Sequence, residues 1–470
     1  MTVGLLIRNA EVDGECVDVR VTDERVARLG RDLPRQRGEE VLDADGGALL
    51  PGLHDHHIHL LALAAADSSV KVGPPAVRDR GGFVHALRRA ASTVPLGRWI
   101  RAVGYHDRVV GDIDRWILDG VVGDTPLRVQ HRSGALWVLN TAGIKAAGLD
   151  QIGHVDGIER NGAGDLTGRC WRLDSLLRER IRDAEPDLDL AGVSMRLLRY
   201  GVTGLTDATP TTSQESLHII ERAMIRGDVV QRVVATGGPS VPWEQMTRIE
   251  RGPAKLLFPD HLLPSIDEMR TGVASARARG RAVAIHAVTS ATLALAVVAL
   301  DELGVVAGDR IEHGAVIPMG LAKRLAELDV SVVTNPGFIA TRGDDYLIDV
   351  DQYELSDLWR CRSLLEHGVR VGAGTDAPFG DPNPWLSIAA AVDRSTDRGV
   401  PIGPEEALPP ERAIDLFLSA QENPGGPPRR VVVGARADLC LLPVPRCEAH
   451  LDLRVVQPLA TIVRGVAHRW

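Results

Sequence analysis

From about residue 190 onward, short apolar runs alternate with longer helical patterns, and this alternation constrains the fold more than any other feature. The apolar runs are GVTGLTDAT, DVVQRVVATGG, GPAKLLF, AVAIHAV, RIEHGAV, VSVVTNP and RVGAGTDAP, and the stretch at 53–60 brings their number to eight. Helices are predicted between them, such as SIDEMRTGVASARARG, where Ser265 and Glu268 have the spacing of a capping box. Eight strands, most followed by a helix, predict an α/β fold built on a closed parallel (β/α)8 TIM barrel.

The two ends of the chain have a different pattern. Residues 1–52 alternate apolar with polar residues at period two, and the same alternation returns after the Pro/Gly-rich break NPGGPPRR. Because chain termini commonly lie close together, we expect residues 1–52 and 425–470 to form one small composite β-sandwich domain. The barrel then spans 53–424, interrupted after its first strand by an insertion at about 65–190. This insertion has strands and turns of its own, and we expect it to lie over the barrel mouth.

Composition and charge limit the possible partners. The 470 residues are 44% hydrophobic and carry 54 basic against 63 acidic side chains, with no dense basic block. This balance argues against nucleic acid or an anionic membrane as partner and favours a small-molecule substrate, with a homodimer left open. The N-terminus lacks the pattern of a signal peptide, and the longest apolar run, ATLALAVVAL, is far shorter than the roughly 18 residues of a membrane span. We therefore expect a cytoplasmic protein.

The segment PGLHDHHIHL at 51–60 places four histidines and an aspartate within six positions. An apolar run after the turn-forming Pro-Gly pair predicts a strand, on which residues two apart share a face. Asp55, His57 and His59 then face one way. His54 and His56 face the other way with Ile58, where we expect them to have a structural role.

Polar residues also occur on or at the end of other predicted barrel strands, where barrel enzymes carry their active sites. Together with the first strand they supply the set His57, His59, Lys255, His286, His313 and Asp376. Taken singly, Lys255 fits a surface lysine, His286 a core histidine and Asp376 a helix cap. Taken together, they could surround a pair of divalent cations. Nitrogen and oxygen ligands without thiolate suit Zn²⁺, and also Mn²⁺, Fe²⁺, Co²⁺ or Ni²⁺.

These motifs resemble those of the amidohydrolase superfamily of metal-dependent hydrolases. PGLHDHHIHL, RIEHG, GTDAP, and GALWVLNTAGIKAAGLD and GAGDLTG in the insertion are most similar to its amidohydrolase 3 group, which includes YtcJ-like and N-substituted formamide deformylase-like proteins. The resemblance extends over nearly the whole chain, including the C-terminal VVGARADLCLL.

The resemblance implies a role for each residue. His57 and His59 would bind the more buried metal, and His286 and His313 the other. Lys255 would bridge both metals as a carboxylated lysine, a modification that also removes the conflict between an ammonium group and two cations. Asp376 would contact the buried metal and act as the catalytic proton shuttle, because hydroxide formed between the metals attacks the carbonyl and the departing amine must leave neutral.

The surroundings of this predicted metal site depart from the family pattern. The chain has Gly134-Ala135 where the group often has Gly-His, and Thr289-Ser290 where it usually has Gly-Asp. After Lys255, where the group tends to have Ala-Asp-Gly, the chain has Pro259-Asp260-His261. The substrate is therefore harder to predict than the reaction. Polar and aromatic groups of the insertion suited to orient a small ligand are Tyr105, His106, His131, Arg132 and Trp137, each equally compatible with packing inside the insertion.

These features favour a hydrolase of non-peptide carbon–nitrogen bonds, acting on linear amides such as N-acyl or N-formyl amines. A cyclic amide, ester or lactone hydrolase using the same hydroxide is the alternative among enzymes. A mononuclear deaminase is another, and Lys255 argues against it. A catalytically silent binding protein would be expected to have lost at least one ligand, and none of the predicted ligands is missing.

Overall fold

In a computed structural model, the described residues are 4–95, 97–181, 188–243, 246–258 and 263–470. They divide into two compact units, one made of residues 1–60 with 190–470 and the other of 61–189. The strands in chain order are β1 (Leu5–Val12), β2 (Glu15–Thr22), β3 (Arg25–Gly30), β4 (Glu40–Asp43), β5 (Leu49–Pro51), β6 (Leu53–Ile58), β7 (Val70–Lys71), β8 (Ile100–Tyr105), β9 (Leu127–His131), β10 (Leu136–Leu139), β11 (Ile158–Arg160), β12 (Leu166–Trp171), β13 (Val202–Asp207), β14 (Arg232–Ala235), β15 (Ile249–Arg251), β16 (Ala254–Leu256), β17 (Val283–Ala287), β18 (Arg310–His313), β19 (Ser331–Thr334), β20 (Val371–Ala373), β21 (Leu439–Leu441), β22 (Ala460–Val463) and β23 (Val466–Arg469).

The α-helices follow the predicted alternation with strands in the C-terminal two thirds of the chain. In chain order they are α1 (Leu60–Asp67), α2 (Arg80–Thr93), α3 (Asp107–Val110), α4 (Arg115–Val122), α5 (Thr141–Ala146), α6 (Asp174–Arg180), α7 (Leu190–Arg199), α8 (Gln214–Arg226), α9 (Ile266–Arg277), α10 (Ser290–Leu303), α11 (Met319–Glu327), α12 (Gly337–Asp349), α13 (Arg362–Glu366), α14 (Pro384–Asp393), α15 (Pro410–Asp415) and α16 (Arg446–Ala449).

Parallel strands form the centre of the first unit. Each of the eight predicted runs contains a strand, and these strands lie in two parallel sheets of order β15-β14-β13-β6 and β16-β17-β18-β19-β20. Backbone hydrogen bonds join the two sheets on both sides, from Lys255 N to Gly237 O at 2.9 Å and from Asp376 N to His57 O at 2.7 Å. The arrangement is a mixed α/β fold in which the predicted site residues come from neighbouring strands; closure into a barrel stays a prediction.

Helix α9 shows why the sequence signals in this region were informative. Ser265 is its N-cap and accepts a hydrogen bond from Glu268 N, while the Glu268 carboxylate accepts one from Ser265 N at 2.8 Å. Both halves of the capping box are therefore present, as predicted, and they satisfy backbone donors that would otherwise be exposed at the helix start.

Both termini contribute strands outside the parallel sheets. Strands β1 to β4 form a sheet of order β3-β2-β1-β4, and β5 pairs antiparallel with β21 in a second sheet that continues to β22 and β23. Buried apolar side chains from the N-terminal strands and from residues 431–462 share one hydrophobic cluster. The two termini therefore share one core, and a composite β-sandwich domain stays a prediction.

The second unit, residues 61–189, contains a sheet of order β11-β12-β10-β9-β8-β7. Its strands β7, β8 and β9 are parallel, whereas β9, β10, β12 and β11 are antiparallel. Two hydrophobic clusters lie inside this unit, as expected for a segment with its own core. Across the described residues of both units, no helix is long and apolar enough to cross a membrane.

Candidate metal centre

Strand β6 carries the histidine-rich motif, and all six of its residues are buried. The alternation along the strand separates the histidines as predicted. His54 Nε2 lies 3.0 Å from Thr206 Oγ1, and His56 Nε2 lies 2.9 Å from Ser419 Oγ. His57 belongs to the opposite face. Hydrogen bonds to hydroxyl groups give His54 and His56 the structural role that was expected from the sequence.

His57, His59 and Asp376 come together at the ends of β6 and β20. One ligand atom from each lies within 4.8 Å of those of the others. Asp376 Oδ1 is 3.0 Å from His59 Nε2 and 3.5 Å from His57 Nε2. Two imidazoles and one carboxylate at these separations could hold a divalent cation.

The backbone aims Asp376 at these histidines. Its φ of 56° lies in the left-handed region, which costs energy for a residue other than glycine and is maintained here by hydrogen bonds on both sides. Asp376 N donates to His57 O, and Asp376 O accepts from Phe379 N at 2.8 Å. Asp376 is not a helix cap, since the N-cap of the following helix α14 is Asn383.

Asp376 is a carboxylate in this setting. Burial alone would raise its pKa, but the hydrogen bond with His59 and the charge interactions with His57 and His313 hold that pKa well below the ordinary value. A carboxylate that is already ionised can bind a cation without first losing a proton.

His313 and His286 continue the cluster from β18 and β17. The ring of His313 lies 4.6 Å from that of His57 and 4.6 Å from that of His286, measured between centroids. His313 also has a left-handed backbone, with φ of 69°, at the end of its strand. The structure therefore places the four predicted histidines in one continuous group with Asp376.

Lys255 lies on β16 and is buried, which rules out the surface lysine considered from the sequence. Its Nζ atom makes no hydrogen bond to the described residues and is 3.9 Å from Glu312 Oε2. Burial lowers the pKa of Lys255 to about 8; the charge of Glu312 opposes this shift and that of Arg310 adds to it. An amine in this environment loses its proton more easily than an exposed lysine.

Three of the histidines are oriented by a hydrogen bond at Nδ1. His57 Nδ1 contacts a Glu312 carboxylate oxygen, His59 Nδ1 lies 3.0 Å from Thr209 Oγ1, and His313 Nδ1 lies 2.8 Å from Asn335 Oδ1. The contacts with Glu312 and Asn335 leave Nε2 of His57 and His313 as the nitrogen that can offer a lone pair, whereas the Thr209 hydroxyl can either donate to His59 or accept from it. Metal-binding histidines in proteins are typically held in this way.

Glu312, Thr209 and Asn335 were missed by the sequence reasoning. Each lies at or just beyond the end of a predicted strand, in RIEHG, TDAT and TNP, so their position at the same sheet edge was a usable signal. Asp55 was noted only for its direction. Its buried carboxylate accepts hydrogen bonds from Thr375 N at 3.0 Å and from His57 N at 3.1 Å, and so ties the two ligand-bearing strand ends together.

The candidate substrate residues lie in the second unit. Tyr105 and Trp137 are buried, and both polar atoms are used: Tyr105 Oη donates to Gly111 O at 2.9 Å and Trp137 Nε1 to Asp174 Oδ1 at 2.8 Å. Burial raises the pKa of Tyr105 to about 12, so its phenol is neutral.

The other three candidates belong to the same part of this unit. His131 Nε2 lies 3.3 Å from Asp107 Oδ1, and His106 is the N-cap of α3. Arg132 donates its backbone N–H to Tyr105 O at 2.8 Å. These contacts are the packing contacts that the sequence left open, and a role in substrate binding stays a prediction.

One departure from the family pattern has a structural role. Thr289 is the N-cap of α10 and accepts from Thr292 N at 3.1 Å, while Ser290 Oγ donates to Glu354 at 2.6 Å. Nothing in the structure explains Ala135 in place of the family's histidine. The segment Pro259-Asp260-His261 lies outside the described residues.

Comparison with known proteins assigns the chain to a family. The model of the amidohydrolase family matches residues 40–467, and the chain therefore belongs to this family of hydrolases. An N-substituted formamide deformylase from Arthrobacter pascens is 25% identical over 99% of this chain and 97% of its own length. The putative amidohydrolase YtcJ from Bacillus subtilis is 22% identical over 80% of each chain.

A solved structure has the same fold. The uncharacterized metal-dependent hydrolase from Pyrococcus horikoshii superposes with a TM-score of 0.74 at 19% identity, over 99% of this chain and 100% of its own. The family assignment predicted from the motifs is confirmed, and the fold agrees with it over the whole length.

Proposed function

We propose that this protein is a metal-dependent hydrolase that cleaves the carbon–nitrogen bond of a small non-peptide amide, with linear N-formyl or N-acyl amines as the preferred class. The observation that carries the proposal is the convergence of His57, His59 and Asp376 at the ends of adjacent parallel strands. Membership of the amidohydrolase family supports the reaction class. The similarity to an N-substituted formamide deformylase supports the linear amide.

The donor set fits divalent cations. His57 Nε2 and Lys255 Nζ are buried and make no hydrogen bond among the described residues, a costly state for polar atoms that a metal ligand would relieve. We propose that His57, His59 and Asp376 hold one ion and that His286 and His313 hold a second. Zn²⁺ is the leading candidate, and Mn²⁺, Fe²⁺, Co²⁺ or Ni²⁺ suit the same ligands. Bound ions would supply Lewis acidity, which lowers the pKa of water and polarises a carbonyl group.

Lys255 would join the two halves of this site as a carboxylated lysine. Its neutral amine would add to carbon dioxide with loss of one proton, which forms an N–C bond and converts an uncharged amine into a carboxylate anion. The burial of Nζ and its lack of a hydrogen bond among the described residues support this proposal, because an unmodified ammonium group between two cations would be repelled.

Asp376 would accept the proton of the attacking water and later return it. Its carboxylate is ionised and held within 3.5 Å of both His57 and His59, so it is positioned to accept a proton from water at this site. It would return that proton to the departing nitrogen, because an amide nitrogen is a poor leaving group unless it is protonated.

We further propose that the eight parallel strands close into a (β/α)8 barrel within residues 53–424 and that residues 1–52 and 425–470 form the composite β-sandwich. The hydrogen bonds that join the two parallel sheets on both sides support the barrel. The hydrophobic cluster shared by the two termini supports the composite domain.

The test is turnover of a substrate panel by protein loaded with Zn²⁺, compared with protein treated with a chelator. N-formyl and N-acyl amines, cyclic amides, esters and lactones are assayed under the same conditions. We expect hydrolysis of linear amides that disappears with the metal and returns when Zn²⁺ is added back. Preferred hydrolysis of the cyclic amides, esters or lactones would overturn the substrate class, and activity that survives complete metal removal would overturn the mechanism.

A further inference from the structure

Glu312 is a fully buried carboxylate placed between two hydrogen-bond donors. Its Oε1 accepts from Arg310 Nε at 2.7 Å, and its Oε2 contacts His57 Nδ1. Lys255 Nζ lies 3.9 Å from the same Oε2. Glu312 immediately precedes the predicted ligand His313, yet its side chain is directed to a ligand on a different strand.

We propose that Glu312 is a positioning residue that determines which ring nitrogen of His57 carries the proton. A carboxylate only accepts hydrogen bonds, so His57 must carry its proton on Nδ1 and leave the lone pair on Nε2. That Nε2 atom is buried and makes no hydrogen bond to the described residues. The inference rests on the metal site proposed above. It explains why Nε2 of His57 has a lone pair available for a metal before any metal binds.

Arg310 makes the hydrogen bonds of Glu312 sensitive to the replacement of one carboxylate oxygen by an NH₂ group. A guanidinium donates hydrogen bonds and accepts none, so the oxygen facing Arg310 Nε must be an acceptor. In Glu312→Gln, the amide has one oxygen and one NH₂ group for two neighbouring donors. The oxygen would face the cationic Arg310, and the NH₂ group would face His57 Nδ1. His57 would then have to accept at Nδ1 and carry its proton on Nε2, the nitrogen needed for the metal.

At this position we expect the usual order of conservative and drastic substitutions to be reversed. If Glu312 only filled space, the isosteric Glu312→Gln variant would resemble the wild type and Glu312→Ala would be worse. If Glu312 sets the proton on His57, Glu312→Gln should weaken metal binding at least as much as Glu312→Ala, because alanine leaves the ring free to choose either form. Loss of such partners typically costs about 10- to 100-fold in metal affinity.

Glu406 provides a matched control. It is also buried, and it accepts from Arg360 at 2.7 Å, from Cys361 N at 3.1 Å and from Ser363 N at 2.9 Å. None of these partners is a predicted metal ligand. Glu406→Gln therefore breaks a buried Glu–Arg pair with the same change of one atom, and it measures the cost of that change to folding alone.

The experiment measures Zn²⁺ affinity by competition with a chromophoric chelator for the wild-type protein, Glu312→Gln, Glu312→Ala and Glu406→Gln, with thermal unfolding of the metal-free proteins alongside. We expect about a 10- to 100-fold loss for Glu312→Gln, a loss no larger for Glu312→Ala, and an affinity like the wild type for Glu406→Gln. Wild-type affinity in Glu312→Gln overturns the inference while leaving the proposed function in place. A wild-type protein that binds no Zn²⁺ overturns the proposed function and the inference with it.

A measurement on the unsubstituted protein keeps the inference testable if Glu312→Gln fails to fold. The ¹⁵N chemical shifts of the His57 ring in metal-free wild-type protein distinguish a proton on Nδ1 from one on Nε2. We expect the proton on Nδ1. A proton on Nε2 would overturn the proposed role of Glu312 whatever the metal affinity of the variants.

Discussion

The strand ends of the first unit and the insertion of the second unit contain similar residue types, but their polar atoms are used differently. In the first unit, His57, His59 and His313 are each held at Nδ1 by a neighbour. In the second, Tyr105 and Trp137 each donate their single polar side-chain hydrogen to a partner inside their own unit. The contrast shows that residue type alone is weak evidence for a site, whereas donors or acceptors left open in a buried place are strong evidence.

The largest effect is expected for His57→Ala. Removing one imidazole from the only three-residue cluster found among the described residues should abolish metal binding at that position, and turnover should fall to background. Elemental analysis and the amide assay measure the two losses on the same sample.

His54→Ala is the matched control, because it removes a histidine three residues away on the other face of β6 that is hydrogen-bonded to Thr206. It should destabilise the fold while leaving metal content unchanged. Equal loss of metal in both variants would contradict the assignment of the His57 face to metal binding and of the His54 face to a structural role.

A smaller but specific effect is expected for Asp376→Asn. The amide can still offer an oxygen to a metal, but it cannot accept a proton at neutral pH, and general acid–base groups are typically worth a factor of about 10² to 10⁴ in rate. We expect kcat to fall by about that factor, with the fold intact, substrate binding little changed and metal at least partly retained. Turnover close to that of the wild type would show that the proton moves by another route.

The smallest effect is expected in the insertion. Tyr105→Phe removes a buried hydroxyl that donates to Gly111 O, and such a bond contributes about 1 kcal/mol to the free energy of unfolding. We expect a modest loss of stability in thermal or chemical unfolding, with KM and kcat near wild-type values. A large rise in KM without loss of stability would instead identify the hydroxyl as a substrate contact. The strand ends and the insertion would then differ less in how their polar atoms are used.

The strands and the metal-ligand candidates could be predicted from the sequence because both depend on local patterns; the strands are observed, and metal binding by the candidates stays a prediction. Period-two alternation separates His57 from His54 on one strand, and a short apolar run with a polar end is recognisable without knowing its neighbours. The burial of Lys255 and the left-handed backbone of Asp376 are not local in this sense. They follow from packing against other strands.

The residues that orient the ligands could not be assigned from sequence, because their partners are far apart in the chain. Glu312 meets His57 across 255 residues, and Asn335 meets His313 across 22. The insertion was harder still. Its aromatic residues fit a binding surface and a hydrophobic core equally well by type, and the internal hydrogen bonds of Tyr105 and Trp137 fit packing without testing a role in binding.

Metal content is the most direct test of the central claim, which is that the strand ends form a cage for two divalent ions. The protein should be expressed with added Zn²⁺, purified without chelator and analysed for bound elements per chain, with His57→Ala measured in parallel. We expect about two equivalents in the wild type and fewer in the variant. One equivalent would contradict the two-ion site, and no more than traces would contradict the proposal that this protein is a metal-dependent hydrolase.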